Sequence, residues 1–237
     1  MLIIKLILTF IVGYFIAGIV HELGHVIVGL IQGFRFYMLV VGPIGIVKDL
    51  NGKVRIYFEK RVSFWGGVGG TVPQKEESQV LDKFSKILLG GPIFSIIFGA
   101  ILLPLGVLWE NIYLVMLGAM PIGMGIVSLI PMRAGAFYSD GGRWFRIRNE
   151  KTRAIEAALL NITMSLVVND DSHKNISVND IDTVINSSDA GTRYMGHYFA
   201  CMRYKDRGEK ENYEKAKILL DEASKTVSKQ IRSLYKL

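Results

Sequence analysis

Three long apolar runs dominate the first 131 residues of the chain. Residues 2–31, 87–109 and 112–131 are each long enough to cross about 30 Å of hydrocarbon. The second and third runs contain no charged residue. Uninterrupted apolar character over these lengths is typical of transmembrane helices rather than of amphipathic surface helices. The pattern therefore predicts an α-helical membrane protein with three spans.

The segment between the first and second spans has the character of strands. Residues 36–63 are rich in aromatic and β-branched side chains, and Asn51-Gly52 is a strong turn signal. We predict a small membrane-associated β-hairpin over 36–63. The glycine-rich residues 65–73 lack the pattern of a phosphate-binding loop and predict a flexible loop near the functional residues. Residues 74–86 predict a short amphipathic helix that leads into the second span.

The composition changes near residue 143, and the rest of the chain is polar and helical in pattern. The predicted helices cover residues 150–168, 178–185, 191–205 and 210–236. The last two resemble one tetratricopeptide-type helical pair, although a single pair is weak evidence for a repeat array. We predict two domains, which are a membrane-embedded core at residues 1–145 and a cytoplasmic helical domain at residues 146–237.

Charge gives the orientation of the spans. The chain carries a net charge of +7, and half of its residues are hydrophobic. In a membrane protein, the distribution of basic residues indicates the orientation of the spans before it indicates nucleic-acid binding. The connection Glu110-Asn111 has no basic residue, whereas residues 33–86 have nine, namely Arg35, Lys48, Lys53, Arg55, Lys60, Arg61, Lys75, Lys83 and Lys86. The positive-inside rule then places the N-terminus outside and the C-terminal domain in the cytoplasm. Nucleic acid is not expected as a partner.

The sequence His21-Glu22-Leu23-Gly24-His25 lies within the first apolar run, where ionisable residues are costly and are usually functional. Residues i and i+4 share one face of a helix, so His21 and His25 can direct imidazole nitrogens at one metal ion. Glu22 is close enough to act on a water at that ion. The alternative is that a buried histidine here only packs in a core. Two histidines and a glutamate at this spacing favour a metal site instead.

The third ligand is sought among carboxylates, because a catalytic zinc ion has three protein ligands and no cysteine lies near the motif. No acidic residue lies between Glu22 and Asp49, and Asp49 lies in the predicted turn. Asp140 follows the third span directly, and the glycines after it permit a close approach. With three spans, Asp140 and the two histidines lie near the same membrane face. We predict one Zn²⁺ bound by His21, His25 and Asp140.

These residues resemble the site-2 protease family of intramembrane zinc metalloproteases. The resemblance covers residues 1–145 and leaves out the C-terminal helices. Its elements are HELGH at 21–25, Gly91-Pro92 with Ser95 where the family prefers Asn, and Ser128 to Pro131 followed by Asp140-Gly141. Ser128 also replaces a family Asn, which leaves open whether Ser95 and Ser128 contact substrate.

The resemblance implies a zinc-dependent endopeptidase with Glu22 as its catalytic residue. It would hydrolyse a peptide bond of a membrane-anchored protein or peptide near the cytoplasmic face, with lipid around it, and an edge strand of the hairpin could pair with the substrate. The alternative is a catalytically inactive membrane scaffold that recruits a protein partner through its C-terminal helices. A metal transporter is a third class of function. The spans of a transporter usually carry several polar residues, whereas spans two and three here contain no charged residue.

Overall fold

The computed structural model describes residues 1–48, 52–73, 79–134, 137–169 and 172–235. The chain divides into two compact units. The first contains Met1–Pro131 and Ser139–Trp144, and the second contains Met132–Tyr138 and Phe145–Leu237.

Three long helices form most of the first unit. They are α1 (Leu2–Ile31), α2 (Val80–Leu108) and α3 (Ile112–Leu129), and each is long and apolar enough to cross a membrane. The prediction of three candidate spans is therefore confirmed.

The bounds of two spans differ from the prediction. Residues 80–86 are the first turns of α2 rather than a separate amphipathic helix, and residues 74–78 lie outside the described part of the chain. Helix α3 ends at Leu129 instead of continuing to residue 131. The cause is Pro131, because the residue before a proline is driven out of the helical region, and Ile130 accordingly has an extended ψ of 124°.

Glycines bring the three helices close together. A Cβ on Gly24 of α1 would lie 2.5 Å from the carbonyl oxygen of Gly90 on α2, and a Cβ on Gly90 would meet the Gly24 carbonyl at the same distance. Gly118 of α3 packs in the same way on the backbone of α2 at Leu103, at 2.5 Å. Small residues permit this close approach in lipid, where packing rather than water exclusion drives helix association.

The predicted hairpin is wrong in extent, because the segment forms part of a four-stranded antiparallel sheet. The strands are β1 (Phe34–Val41), β2 (Ile44–Lys48), β3 (Val54–Phe58) and β4 (Val68–Pro73), in the order β3-β2-β1-β4. Strands β2 and β3 pair on either side of the predicted turn, although residues 49–51 lie outside the described part of the chain. The prediction missed the turn at Gly42-Pro43, where Gly42 has a φ of +59° and β1 ends.

The prediction of a flexible loop at residues 65–73 is also wrong. Residues 68–73 form β4, which pairs with β1 from Phe34 opposite Pro73 to Val40 opposite Val68. A short 3₁₀ turn at Val62–Phe64 connects β3 to this strand. Glycine weakens an isolated strand, so it is the pairing with β1 that keeps this segment extended.

The second unit begins with a short strand pair, β5 (Arg133–Ala134) and β6 (Phe137–Tyr138), and continues as helices. Helix α4 (Asp140–Arg148) spans the boundary between the units. The remaining helices are α5 (Glu150–Val168), α6 (Val178–Ile185), α7 (Ala190–Arg207), α8 (Lys210–Ser224) and α9 (Lys229–Leu234).

The predicted helix at 210–236 is interrupted between α8 and α9. Ser228 begins α9 by accepting a hydrogen bond from the backbone N–H of Ile231, which is a helix cap that the sequence analysis missed. Gly208 ends α7 with a left-handed φ of +72°. Cys201 is fully buried in the core of this unit, and burial raises the pKa of its thiol to about 11.

Candidate metal centre

Helix α1 places the three ionisable residues of the motif on its buried face. His21, Glu22 and His25 are each 7–8 % exposed, whereas Leu23 between them is 37 % exposed. The two imidazole rings lie edge to face, with their centroids 5.0 Å apart. The helical spacing of four residues therefore brings the two histidines side by side, as the i, i+4 relation requires.

The structure brings Asp140 to the same two histidines. His21 Nε2 lies 3.1 Å from Asp140 Oδ2, and His25 Nε2 lies 3.5 Å from Asp140 Oδ1. One possible ligand atom from each of the three residues lies within 4.8 Å of the others. Gly141 makes this possible, because a Cβ there would collide with the carbonyl of Leu129 at the end of α3. Asp140 is the first residue of α4 and is held close to the end of the third span.

Partners at the far side of each imidazole ring leave the Nε2 atoms facing Asp140. His25 Nδ1 lies 2.8 Å from the carbonyl oxygen of Ile87, so this nitrogen carries the proton and donates. His21 Nδ1 lies 3.1 Å from the hydroxyl oxygen of Ser95. A ring nitrogen that binds a metal ion usually has such a partner on the other nitrogen.

Gly91 of α2 keeps the space between the imidazoles open. A Cβ on this residue would collide with His25 Nε2 and would lie 2.8 Å from His21 Nε2. The atoms that converge here are two imidazole nitrogens and one carboxylate, which is a donor set that suits Zn²⁺. The residues present therefore fit a divalent metal ion of this kind.

Glu22 lies between this group and the sheet. The backbone N–H of Gly69 on β4 donates a hydrogen bond to the Glu22 carboxylate. A Cβ on Gly69 would lie 2.9 Å from Glu22 Oε2, and one on Gly67 would collide with Oε1. Gly67 directly before β4 and Gly69 within it thus let the backbone pass close to the carboxylate that the sequence predicted to be catalytic.

A sequence model of the family described as Peptidase family M50 matches residues 9–237, which is nearly the whole chain. The chain belongs to peptidase family M50. The resemblance to the site-2 protease family is thereby confirmed, and membership supports a membrane-embedded metallopeptidase. The match continues through the C-terminal helices, so the prediction that the resemblance stops near residue 145 is wrong. No curated protein and no solved structure matches the chain.

The Asp140 carboxylate of this M50 protein lies outside the spans and has an altered acidity. Burial raises the pKa of this group. Hydrogen bonds with His21 and His25 and the charge of both rings lower the pKa by a larger amount, so that it falls well below its usual range. Asp140 is therefore ionised at neutral pH, which is the form that binds a metal ion.

The sequence analysis left open whether Ser95 and Ser128 contact substrate. Ser95 is completely buried and contacts His21. Ser128 is half-buried, and its hydroxyl donates to the backbone carbonyl of Gly125 within α3 at 3.1 Å. The sequence analysis also missed the close approach of Gly67 and Gly69 to Glu22. The only signal for it was the glycine content of the segment, which does not distinguish a close approach from a loop.

Glu59 stabilises the turn that connects β3 to β4 of this M50 protein. Its carboxylate accepts hydrogen bonds from the backbone N–H of Arg61 at 2.8 Å, from Arg61 Nε at 2.9 Å and from the Tyr57 hydroxyl at 3.2 Å. Its backbone carbonyl accepts a hydrogen bond from Trp65 Nε1 at 2.9 Å. The Arg61 hydrogen bonds outweigh burial and lower the pKa of Glu59 to about 2.

This pKa predicts that the turn loosens only in strong acid. A carboxyl group with a lowered pKa stabilises the fold fully above its ordinary pKa of 4.5, and the stabilisation is lost as the pH falls through about 2. In a chain with Trp109→Phe and Trp144→Phe, fluorescence of Trp65 should follow this loss. Arg61→Gln should move the midpoint toward 4.5, whereas Arg55→Gln should not. An unchanged midpoint in Arg61→Gln would contradict the assignment.

Proposed function

We propose that this M50 protein is a zinc-dependent intramembrane endopeptidase that cleaves membrane-anchored proteins or peptides near the cytoplasmic face. The observation that carries the proposal is the convergence of His21 Nε2, His25 Nε2 and the Asp140 carboxylate within 4.8 Å, with Glu22 beside them on the same buried helix face. All four residues that a metallopeptidase site of this kind needs are present, which argues against an inactive scaffold.

His21, His25 and Asp140 would hold the Zn²⁺. When bound there, the ion supplies a Lewis acid that polarises the scissile carbonyl and lowers the pKa of a water molecule. The carbonyl oxygen of Ile87 accepts a hydrogen bond from His25 Nδ1, and the Nε2 atoms of both rings face the Asp140 carboxylate. The ring orientation is therefore set before a metal ion arrives.

Glu22 would be the proton carrier of the reaction. Its carboxylate is close enough to His21, His25 and Asp140 to interact with their charges, and it is held by the Gly69 N–H. In this role it takes a proton from the attacking water and passes it to the nitrogen of the leaving amine. A fixed carboxylate is suited to this because the water and the amine nitrogen occupy neighbouring positions in the reaction.

Strand β4 offers a place for the substrate backbone. It is an edge strand, since it pairs with β1 on one side and no other strand flanks it within the described ranges. An extended segment added to this edge would lie beside Glu22 and would expose its carbonyls, which a helix keeps in its own hydrogen bonds. This replaces the hairpin edge of the sequence analysis with a strand that the prediction had missed.

The orientation follows from charge, with the site on the side of the basic residues at 33–86. One face of β2 and β3 fits a position in the membrane interface, since cross-strand neighbours Ile44 and Phe58 are 60 % and 65 % exposed and Ile56 is 74 % exposed. A contiguous exposed apolar surface of this kind is typical of membrane or partner contacts.

The test is a comparison of membranes from cells that make the parental chain and cells that make Glu22→Gln. Mass spectrometry of new protein N-termini would map cleavage sites. The proposal predicts N-termini that lie within or next to the transmembrane segments of a few proteins and that depend on Glu22. Identical sets of N-termini in the two membranes would contradict it.

A further inference from the structure

The two histidines of the candidate site are oriented by chemically different partners. His25 Nδ1 donates to a backbone carbonyl, that of Ile87, at 2.8 Å. His21 Nδ1 has a side-chain partner, the Ser95 hydroxyl, at 3.1 Å. The partner of His25 belongs to the backbone and persists whatever side chain stands at position 87. The partner of His21 is one replaceable hydroxyl group.

We infer that Ser95 is a positioning residue whose hydroxyl holds the His21 ring at Nδ1 and thereby keeps Nε2 turned toward the position that the metal ion would take. The inference rests on the proposed zinc site and adds a residue to which the sequence analysis gave no role. Ser95 lies on α2, 74 positions from His21 in the chain, so only the packing of α1 on α2 brings the two together.

The burial of Ser95 decides between positioning and substrate binding. Ser95 is 0 % exposed, so no substrate can reach its hydroxyl without a rearrangement of the helices. Helix α3 covers the side of Ser95 that faces away from α1. A Cβ on Gly125 of α3 would lie only 3.3 Å from Ser95 Cβ and 2.7 Å from the carbonyl oxygen of Pro92. The hydroxyl of Ser95 contacts the imidazole ring of His21.

The chemistry of the imidazole ring gives the consequence. A neutral imidazole carries one proton, and the nitrogen without it is the metal ligand. His21 Nε2 faces Asp140 at 3.1 Å, so metal binding through Nε2 requires the proton on Nδ1, where the Ser95 oxygen accepts it. With alanine at position 95, the Nδ1–H of the metal-bound ring would be buried without this acceptor, and metal binding through Nε2 would be weaker.

The chain offers a matched control in Ser85. It lies on the same helix and is also 0 % exposed, but its hydroxyl donates to the backbone carbonyl of Asp82 at 2.7 Å. Ser85→Ala removes the same atom from the same helix without touching a histidine. Any general effect of removing a buried serine hydroxyl from α2 would appear in both variants.

The experiment measures zinc affinity of the full-length chain in detergent, by competition with a chromophoric chelator. Ser95→Ala should bind Zn²⁺ about 10–100-fold more weakly than the parent, which is the usual effect of removing a hydrogen-bond partner of a metal-bound histidine. Ser85→Ala should match the parent. Equal affinity of Ser95→Ala and the parent, or equal weakening in both variants, would overturn the inference.

A second measurement reads the His21 ring directly. In the zinc-loaded parent labelled with ¹⁵N-histidine, the NMR spectrum should show His21 bound to the metal ion through Nε2 and protonated on Nδ1, assigned by comparison with His21→Ala. A His21 ring bound to zinc through Nδ1 would overturn the inference. Failure of the parent to bind zinc would instead remove the proposed function, so the two failures are distinguishable.

Discussion

Glu22→Gln is expected to abolish peptide-bond cleavage while leaving zinc bound. The amide has nearly the shape of the carboxylate but cannot take a proton from water, and loss of a general base lowers rates by about 10²–10⁴-fold. His21, His25 and Asp140 are untouched, so the metal site should persist. The measurement is the cleavage rate of a synthetic transmembrane peptide that carries a mapped cleavage site, with zinc content determined on the same samples.

Glu110→Gln is the matched control for this change. It makes the same chemical replacement in the exposed connection between α2 and α3 and should leave both the rate and the zinc content at the parental level. Parental cleavage by Glu22→Gln would show that another group carries the proton. Loss of zinc from Glu22→Gln would show that Glu22 is a ligand rather than a base.

Gly91→Ala is expected to eliminate zinc binding through a single methyl group. The added Cβ would collide with His25 Nε2 and approach His21 Nε2 to 2.8 Å, so it would occupy the space in which the two lone pairs meet. Helices α1 and α2 could separate to relieve the contact, but they pack backbone against backbone at Gly24 and Gly90, the residues directly before His25 and Gly91. We expect zinc affinity to fall by at least about 100-fold, the upper end for disturbed ligand shells.

Gly123→Ala provides the comparison for this prediction. Gly123 lies in α3, and among the described residues no atom outside its own helix backbone lies within 4 Å of the position that its Cβ would take. The same substitution there should leave zinc binding unchanged and favour the helix slightly. Zinc content by elemental mass spectrometry reports both variants. Retention of one zinc ion per chain in Gly91→Ala would show that the metal ion lies elsewhere.

The sequence was sufficient for the parts of the site that depend on helical periodicity and span order. The spacing of His21 and His25 fixes their shared face on any helix, and the count of three spans brings Asp140 to the membrane face of the two histidines. Neither inference needs knowledge of side-chain packing. The three spans could also be predicted from the sequence, because membrane-length apolar runs are a strong signal.

Contacts that depend on packing between distant elements were not predictable. Helix α2 is apolar all round, so its sequence does not indicate which face meets α1, and the contact of Ser95 with His21 stayed hidden. Strand β4 was missed because Gly69 and Gly70 weaken its local preference, and its extended form depends on pairing with β1. Packing on Glu22 explains Gly69 and packing on Met38 explains Gly70, but only after the fold is known.

The zinc content of Asp140→Asn tests the central claim most directly. The substitution replaces the proposed ligand, which is 115 residues from His25 in sequence, by a near-isosteric amide, and only the folded arrangement connects the two residues. With Asp221→Asn, an exposed position on α8, as the control, the account predicts one zinc ion per chain in the parent and the control, and a large loss in Asp140→Asn. A full zinc complement in purified Asp140→Asn would contradict it.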